Sequence, residues 1–402
     1  VERTEKVLSF AQNIHCQKNP LCKITMTVEI REAKTPKEIR EYIKFAWKIY
    51  TQDEHLKKNW VPHIIADYEK TLDKSRYPLW EHADRACFTA WKDGKMQGTI
   101  TATINHAHNE LHKDKVGFWG FFECVNDQDV ASALFDAAKA WLKERGLNAM
   151  RGPISPSTND QLGMLCKGYD SPPTFLMTYN PPYYHDLCRN YGFRVEQELV
   201  AWLVNQKTID LPRLKRISEI VKKREKLRLR HINLKEWQNE AKIIRGLYNK
   251  AWELNWGFVP FTEKEFYTLA KDLKQIADPD LIYFVQNEKD EYVGFSLSLP
   301  DVNIALKHVN GNPTSPLGLL KFLWYSRKIN RIRTIVMGVI PEYRNKGVDS
   351  LMNAETVEVG IRKGYWEAEL SWVLKSNVPM QRLAEAIGAD PYKEYLIYQI
   401  DF

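Results

Sequence analysis

Residues Asn59-Trp60 recur as Asn255-Trp256, Gly98 recurs as Gly294, and Gly192-Phe193 as Gly388-Ala389, each displaced by the same interval. The surrounding text is similar too. AWKIY and NWVP at 46–62 parallel AWELNWGFVP at 251–260, and GTITATINHA parallels GFSLSLPDVN. A chain that repeats at half its own length is constrained to fold as two copies of one architecture, because duplication carries the pattern of buried positions with it. The register fails in the middle: the first half has an extra loop after residue 154 and the second has one near 305–330. Each half still reads strand, one or two helices, strand pair, strand, helix, strand, helix, strand. The 402 residues suit two domains of about 200 each, and the polar stretch NQKTIDLP at 205–212 marks the boundary.

The expected organisation is an extension over 1–25, a first domain over 26–206 and a second over 207–402. Residues 1–25 lack the continuous apolar stretch of a signal peptide, and the Met26-Thr-Val-Glu-Ile run reads as the first strand. The 44% hydrophobic and 12% aromatic content exclude disorder. No apolar run approaches the roughly 20 residues of a membrane span. Six cysteines without a C-x-x-C pair suit a reducing cytosol, with neither disulfides nor a metal site expected. Residues 213–231 carry nine Lys/Arg against two Glu, with Leu214, Ile217 and Val221 on one helical face. That helix is either a linker with a solvated basic face or a peripheral contact with an anionic membrane. Nucleic acid is not expected, because the basic run has no interleaved aromatics for base stacking.

Residues 332–362 read as an apolar strand, IRTIVMGVI, a turn, PEYRNKG, and a helix, VDSLMNAETVEVGIRK. A turn that opens directly into a helix N-terminus offers unpaired N–H groups and the positive end of the helix dipole, which suits phosphate. Gly347 permits close approach, Arg344 and Lys346 add donors, and Asn345, Val348 and Asp349 complete the turn. The segment resembles the acyl-CoA-binding loop of the GNAT superfamily of N-acyltransferases, Gln/Arg-x-x-Gly-x-Gly/Ala. Arg344 and Gly347 match, and Asp349 replaces the last small residue. The first half has no Arg-x-x-Gly where VGFWGFFEC meets NDQDVASAL.

The resemblance implies two tandem GNAT-like domains, the first degenerate, each an α+β unit with a mixed, mostly antiparallel sheet. The strings PSTND, SPPTFLMTYNPPYY and NWGFVP resemble a bacterial group of acyltransferases related to bacterial ceramide synthases. By the same resemblance Met337, Gly338 and Val339 line the pantetheine of CoA. It further implies acyl transfer from CoA to a primary amine held between the halves. A lipid-like, long-chain amine fits the apolar NWGFVPF stretch. For the proton acceptor the sequence offers Glu369 on EAELSWVL or Asp301 on SLPDVN. Asn377 stands where the family has an Asn closing strand five, but Ala384 replaces the family tyrosine seven residues on. Candidate substrate contacts are Asn159 and Asp160 in PSTND, the Tyr179, Asn180, Tyr183 and Tyr184 cluster, Trp256 and Phe258, and Asn303. The tyrosine cluster reads equally as a packed helix start, and PSTND as an Asx-type turn. Two other classes stay open: an acyl-CoA-binding sensor without catalysis, and a Fem-like transferase using aminoacyl-tRNA.

Overall fold

The structure is a computed structural model that describes residues 27–402; the expected extension over 1–25 lies outside them. Its first-half strands are β1 (Glu29–Glu32), β2 (Ala83–Lys92), β3 (Lys95–Asn105), β4 (Val116–Cys124), β5 (Ala149–Gly152), β6 (Ile154–Ser155), β7 (Gln161–Leu162), β8 (Met164–Lys167) and β9 (Arg194–Asn205). The second half contributes β10 (Arg228–His231), β11 (Ile282–Gln286), β12 (Tyr292–Pro300), β13 (Arg331–Val339), β14 (Glu367–Leu374) and β15 (Ala389–Asp401). Thirteen of these form one sheet in the order β1-β2-β3-β4-β5-β15-β9-β14-β13-β12-β11-β10, with β8 added along β15. Pairing is antiparallel except between β4 and β5 and between β13 and β14, so the sheet is mixed and mostly antiparallel.

The duplication is visible in the register. Gly98 on β3 faces Cys124 on β4, and Gly294 on β12 faces Val339 on β13. Gly192 and Gly388 each follow a short helix in a left-handed conformation, at φ +106° and +83°. The final strands are exchanged between the halves: β15 pairs with β5, β9 pairs with β14, and the two pair with each other. The sheet therefore continues through the sequence boundary near residue 206, and neither half exposes the edge that its own last strand would otherwise cover.

Helices of corresponding position cover the sheet. Pro36–Tyr50 starts with a Thr35–Glu38 capping box and Pro at its first turn, and it buries Ile39, Tyr42, Ile43, Ala46, Ile49 and Tyr50 on one face. Its counterpart Trp237–Trp252 buries Ala241, Ile244, Leu247 and Ala251. The basic helix Leu211–Arg224 packs on Val348–Arg362, with Leu214 against Ala354 and Val357, and Val221 against Val348, Leu351 and Met352. Its apolar face is thus covered by protein. To solvent it shows Arg213, Lys215, Arg216, Lys223 and Arg224, with Ile220 half exposed among them.

Candidate active site

β13 and β14 pair from Arg331 with Glu367 to Thr334 with Leu370 and then separate. On its other side β13 stays paired with β12 as far as Val339, and the Ile340 N–H donates to the Val293 carbonyl at 3.0 Å. Bonded and outward-facing residues alternate along an antiparallel pair. Val336 and Gly338 therefore bond to β12, while Met337 and Val339 direct their N–H and C=O groups into the gap. Neither has a partner across it among the described residues. Such an edge suits an extended, amide-bearing ligand. Gly338 is needed beside it, because a Cβ there would overlap the Trp252 ring and stand 2.8 Å from Phe295.

The gap leads to the turn before the helix Val348–Arg362. Gly347 sits at φ +83° at the helix start with no side-chain cap, and a Cβ would lie 2.8 Å from Val221 Cγ2. Arg344 Nη2 donates to the Ala251 carbonyl at 2.9 Å, in the last turn of Trp237–Trp252. Arg224 Nη2 donates to the Lys346 carbonyl at 2.9 Å, and Asn345 adopts φ +60°. Lys346 Nζ lies 4.4 Å from the Tyr343 ring. The Asp349 carboxylate accepts from the Ser350 N–H at 2.9 Å.

The first half has the same gap, since β4 and β5 pair only from Val116 to Phe118. There it is sealed. The Cys124 N–H, at the site of Val339, donates to the Tyr184 hydroxyl at 2.9 Å, and the Tyr183 hydroxyl donates to the Cys124 carbonyl at 2.7 Å. Asp127 caps the following helix by accepting from the Asp129 and Val130 N–H groups. A carboxylate of the chain therefore occupies the first-turn N–H groups of that helix.

Between the halves lies a cavity of about 1090 Å³, larger than the roughly 300–1,000 Å³ that holds a drug-sized ligand. It reaches β13 at Arg333, Ile335 and Val336 and β14 at Trp372 and Leu374, where the two strands separate. Trp60 and Trp256, the repeated Asn-Trp tryptophans, both line it, as do Trp252, Phe258 and Phe261. Its wall also carries polar groups, among them the Arg333 guanidinium and the Lys70–Asp272 ion pair at 2.7 Å. Burial pushes the Glu123 carboxyl up to about 8, where the Tyr50 and Tyr184 hydroxyls bond it at 3.2 and 2.7 Å. Burial likewise raises Asp160 to about 6 and lowers His63 to about 4. His63 stacks on Tyr68 at 4.1 Å and its Nε2 lies 3.3 Å from the Ile43 carbonyl. With Nε2–H assigned as that donor, Nδ1 is left as an acceptor.

The two carboxylates singled out from the sequence lie elsewhere. Glu369 is fully buried: its oxygens accept from Thr174 Oγ1 at 2.6 Å and from the Ser371 and Tyr392 hydroxyls. Arg333, its register partner, has Nε 3.8 Å away and donates to Ser371 Oγ at 2.9 Å and to the Phe175 carbonyl at 2.7 Å. Asp301 accepts from the Phe175 and Asn303 N–H groups at 2.9 and 3.2 Å, and burial lifts it to about 7. Asn303 Nδ2 donates to the Pro173 carbonyl at 2.9 Å. These groups pin residues 173–175 of the first half onto the second. Neither Glu369 nor Asp301 lines the cavity.

Of the remaining residues, Asn159, Asp160, Tyr179, Asn180, Tyr184, Trp256, Phe258 and Asn303 line the cavity, and Tyr183 does not. Asn159 spans the halves, donating to the Val259 carbonyl at 3.0 Å and accepting from the Tyr248 hydroxyl at 2.9 Å. Asp160 accepts from the Tyr77 and Ser157 hydroxyls at 2.7 and 2.6 Å, and the turn is closed by Ser157, which accepts the Asn159 N–H on Oγ at 3.2 Å and the Asp160 N–H on its carbonyl at 3.0 Å, so it is a serine turn and not the expected Asx-type turn. Asn180 is committed to Leu165, accepting its N–H at 2.7 Å. Asn377 caps Val378–Ala386 through the Met380 N–H. Sequence reasoning passed over His63, Glu123, Tyr50, Tyr68 and Arg333, none of which stands in a motif.

No protein-family model matches the chain. Solved structures resemble it in fold. A tandem GNAT protein from the clavulanic acid biosynthesis pathway has a TM-score of 0.54 at 10% identity, covering 93% of this chain and 98% of that one. A GCN5-related glucosamine N-acetyltransferase region in a fungal multi-domain GH3 β-N-acetylglucosaminidase has a TM-score of 0.56 at 12% identity, covering 93% of this chain and 38% of that one. The architecture is thus that of a tandem GNAT protein. Within it, the chain is 32% identical over 378 residues to Protein YghO of Escherichia coli (strain K12), covering 92% of this chain and 94% of that one. It is 30% identical over 379 residues to the bacterial ceramide synthase of Caulobacter vibrioides (strain NA1000 / CB15N), covering 91% and 95%. The chain belongs to the family that contains these two proteins.

Proposed function

We propose that the protein transfers the acyl group of an acyl-CoA to the primary amine of a lipid-like, long-chain molecule. The observation that carries this reading is the contrast between the halves. The β13 edge at Met337 and Val339 is open and runs into a helix start with no N-cap side chain, where Asp349 accepts from the Ser350 N–H, whereas the same edge in the first half is closed by Tyr183 and Tyr184 and its helix start is capped by Asp127. Pantetheine pairs with Met337 and Val339, and the pyrophosphate meets the turn from Arg344 to Asp349. The acyl and amine chains share the cavity. Its apolar wall and size support a long-chain acceptor, as does the name of the Caulobacter relative, because a ceramide is an N-acylated long-chain amino alcohol.

In the reaction the amine nitrogen attacks the thioester carbonyl, the C–N bond forms and the C–S bond breaks. CoA leaves as a thiolate and ends as the thiol, taking up the proton that the nitrogen loses. The apolar part of the wall disfavours an ammonium, and only the neutral amine has a lone pair to attack, so the amine reacts in its neutral form. His63, uncharged and with Nδ1 free to accept, relays the nitrogen's proton to the thiolate without holding it, since burial disfavours its imidazolium. Replacing His63 with Phe is expected to lower turnover roughly 10²-fold and leave acyl-CoA binding unchanged; equal turnover in the two proteins would remove His63 from the reaction.

The deciding experiment is a thermal-shift and calorimetric titration with CoA, acetyl-CoA and palmitoyl-CoA. Ligand at about 100 times its Kd stabilises the native state by roughly 2.7 kcal/mol. Arg344→Glu is expected to weaken binding at least about tenfold, by placing a carboxylate against the pyrophosphate. No stabilisation by any of the three ligands would end the acyl-CoA reading. Ala384 is fully buried where a GNAT tyrosine would donate to the thiolate, and this favours the second reading, binding without turnover. Release of free CoA from palmitoyl-CoA and a long-chain amine separates the two.

A further inference from the structure

The helix Pro316–Ser326, in the insertion between β12 and β13, is apolar on the side it shows to solvent. Leu317, Leu320 and Trp324 are 64%, 67% and 61% exposed, and Leu319 and Leu323 about half exposed. Gly318 is its one buried residue. Scattered exposed leucines are ordinary, but five large apolar side chains on eleven residues form a contiguous patch of the kind that marks an interaction surface.

Charge selects the partner. Residues 302–341 contain six Lys/Arg and no Asp or Glu; of these Arg331 and Arg333 are paired with Glu367 and Glu369 in the sheet, leaving Lys307, Lys321, Arg327 and Lys328. Lys321 lies within the helix and Arg327 and Lys328 follow it, all exposed. Lys307, Lys321 and Lys328 lie close enough to depress the basicity of His308, after the effect of its burial. His308 in turn stacks on Tyr325. An apolar face flanked by cations, on a segment with no acidic residue of its own, matches an anionic lipid surface. Its position connects it to the cavity, since Leu319 and Phe322 of this helix and Pro313 and Thr314 just before it also line the cavity wall.

We propose that Pro316–Ser326 docks into the interface of an anionic bilayer, with the cavity opening beside it so that its apolar ligand enters from the lipid. The helix, about 16 Å long at 1.5 Å per residue, lies in the membrane plane, and Leu317, Leu320, Leu323 and Trp324 enter the acyl boundary. The docking surface stands on its own observations. Only the entry of the acceptor amine rests on the acyltransferase reading.

The test is co-sedimentation of the full chain with vesicles of pure phosphatidylcholine and of phosphatidylcholine with about a third phosphatidylglycerol. Binding is expected to the anionic vesicles, to weaken as salt rises, and to fall at least tenfold in the double variant Leu320→Glu/Trp324→Glu. Neither residue lines the cavity, so the variant keeps the wild-type thermal shift with acyl-CoA, which also certifies its fold. Lys321→Glu/Lys328→Glu is expected to lose the preference for anionic over neutral vesicles. Wild-type protein that stays in the supernatant, or a double variant that sediments like wild type, would overturn the proposal. So would a wild-type dimer that the double variant converts to monomer, since the face would then belong to a second copy. No acyl-CoA is present in the sedimentation, so its failure leaves the acyltransferase reading untouched, and the reverse holds too.

Discussion

Glu369→Ala is expected to destabilise the protein by about 3–5 kcal/mol, the usual cost of leaving one partner of a buried ion pair uncompensated. Arg333 would stay buried with its guanidinium facing the space that the carboxylate left. The Thr174, Ser371 and Tyr392 hydroxyls would lose their common acceptor. Arg333 and Glu369 face each other one residue before β13 and β14 separate, so together they fix where the gap begins. Through Thr174 and Phe175 they also hold the first half against it. The melting temperature should fall by several degrees, while protein assayed well below it keeps acyl-CoA binding and a measurable turnover. A variant that melts like wild type but has no turnover would return Glu369 to the role of proton acceptor.

The parts of this fold that are legible in the sequence are local or repeated. Strand, turn and helix over 331–362 follow one another without a break, and the glycine at 347 marks the left-handed turn wherever the rest of the chain lies. Gly98 and Gly294 disclose the duplication because a glycine in a strand is uncommon enough for two at one interval to carry information. The exchange of β9 and β15 is not legible. β9 carries the continuous apolar run LVAWLV of a strand buried on both faces and β15 alternates only in part, and nothing in either pattern names the partner.

The same limit governs the site. EAELSWVL puts Glu369 and Ser371 on one face, as observed, but the groups that occupy the carboxylate come from positions 174, 333 and 392. Tyr183 and Tyr184 read as a polar cluster suited to a substrate, yet their hydroxyls meet the backbone of Cys124 in a different strand. His63 lies in WVPHIIAD, where no spacing distinguishes it; only the loop's packing against Gly311 of the second half, through the Ile65 N–H at 3.0 Å, brings it to the cavity.

Val336→Trp should have the largest effect on activity with the smallest effect on the fold. Val336 is held by its pairing with Leu297 on β12, and its side chain reaches the cavity wall next to the point where β13 leaves β14. An indole there fills existing space, so overpacking costs little, while the route from the thioester position into the cavity is blocked. Turnover of palmitoyl-CoA with a long-chain amine is expected to fall by about 10²-fold or more, since a displacement of about 1 Å at the reacting centre already costs that much. The thermal shift with CoA itself should persist, because the pantetheine edge at Met337 and Val339 and the phosphate turn at Arg344 to Asp349 are unchanged. The pair of measurements separates the two ends of the site. Retained CoA binding with lost long-chain turnover would mean that the acyl chain runs into the cavity between the halves, whereas full turnover of the long chain would mean that it leaves the gap by another path.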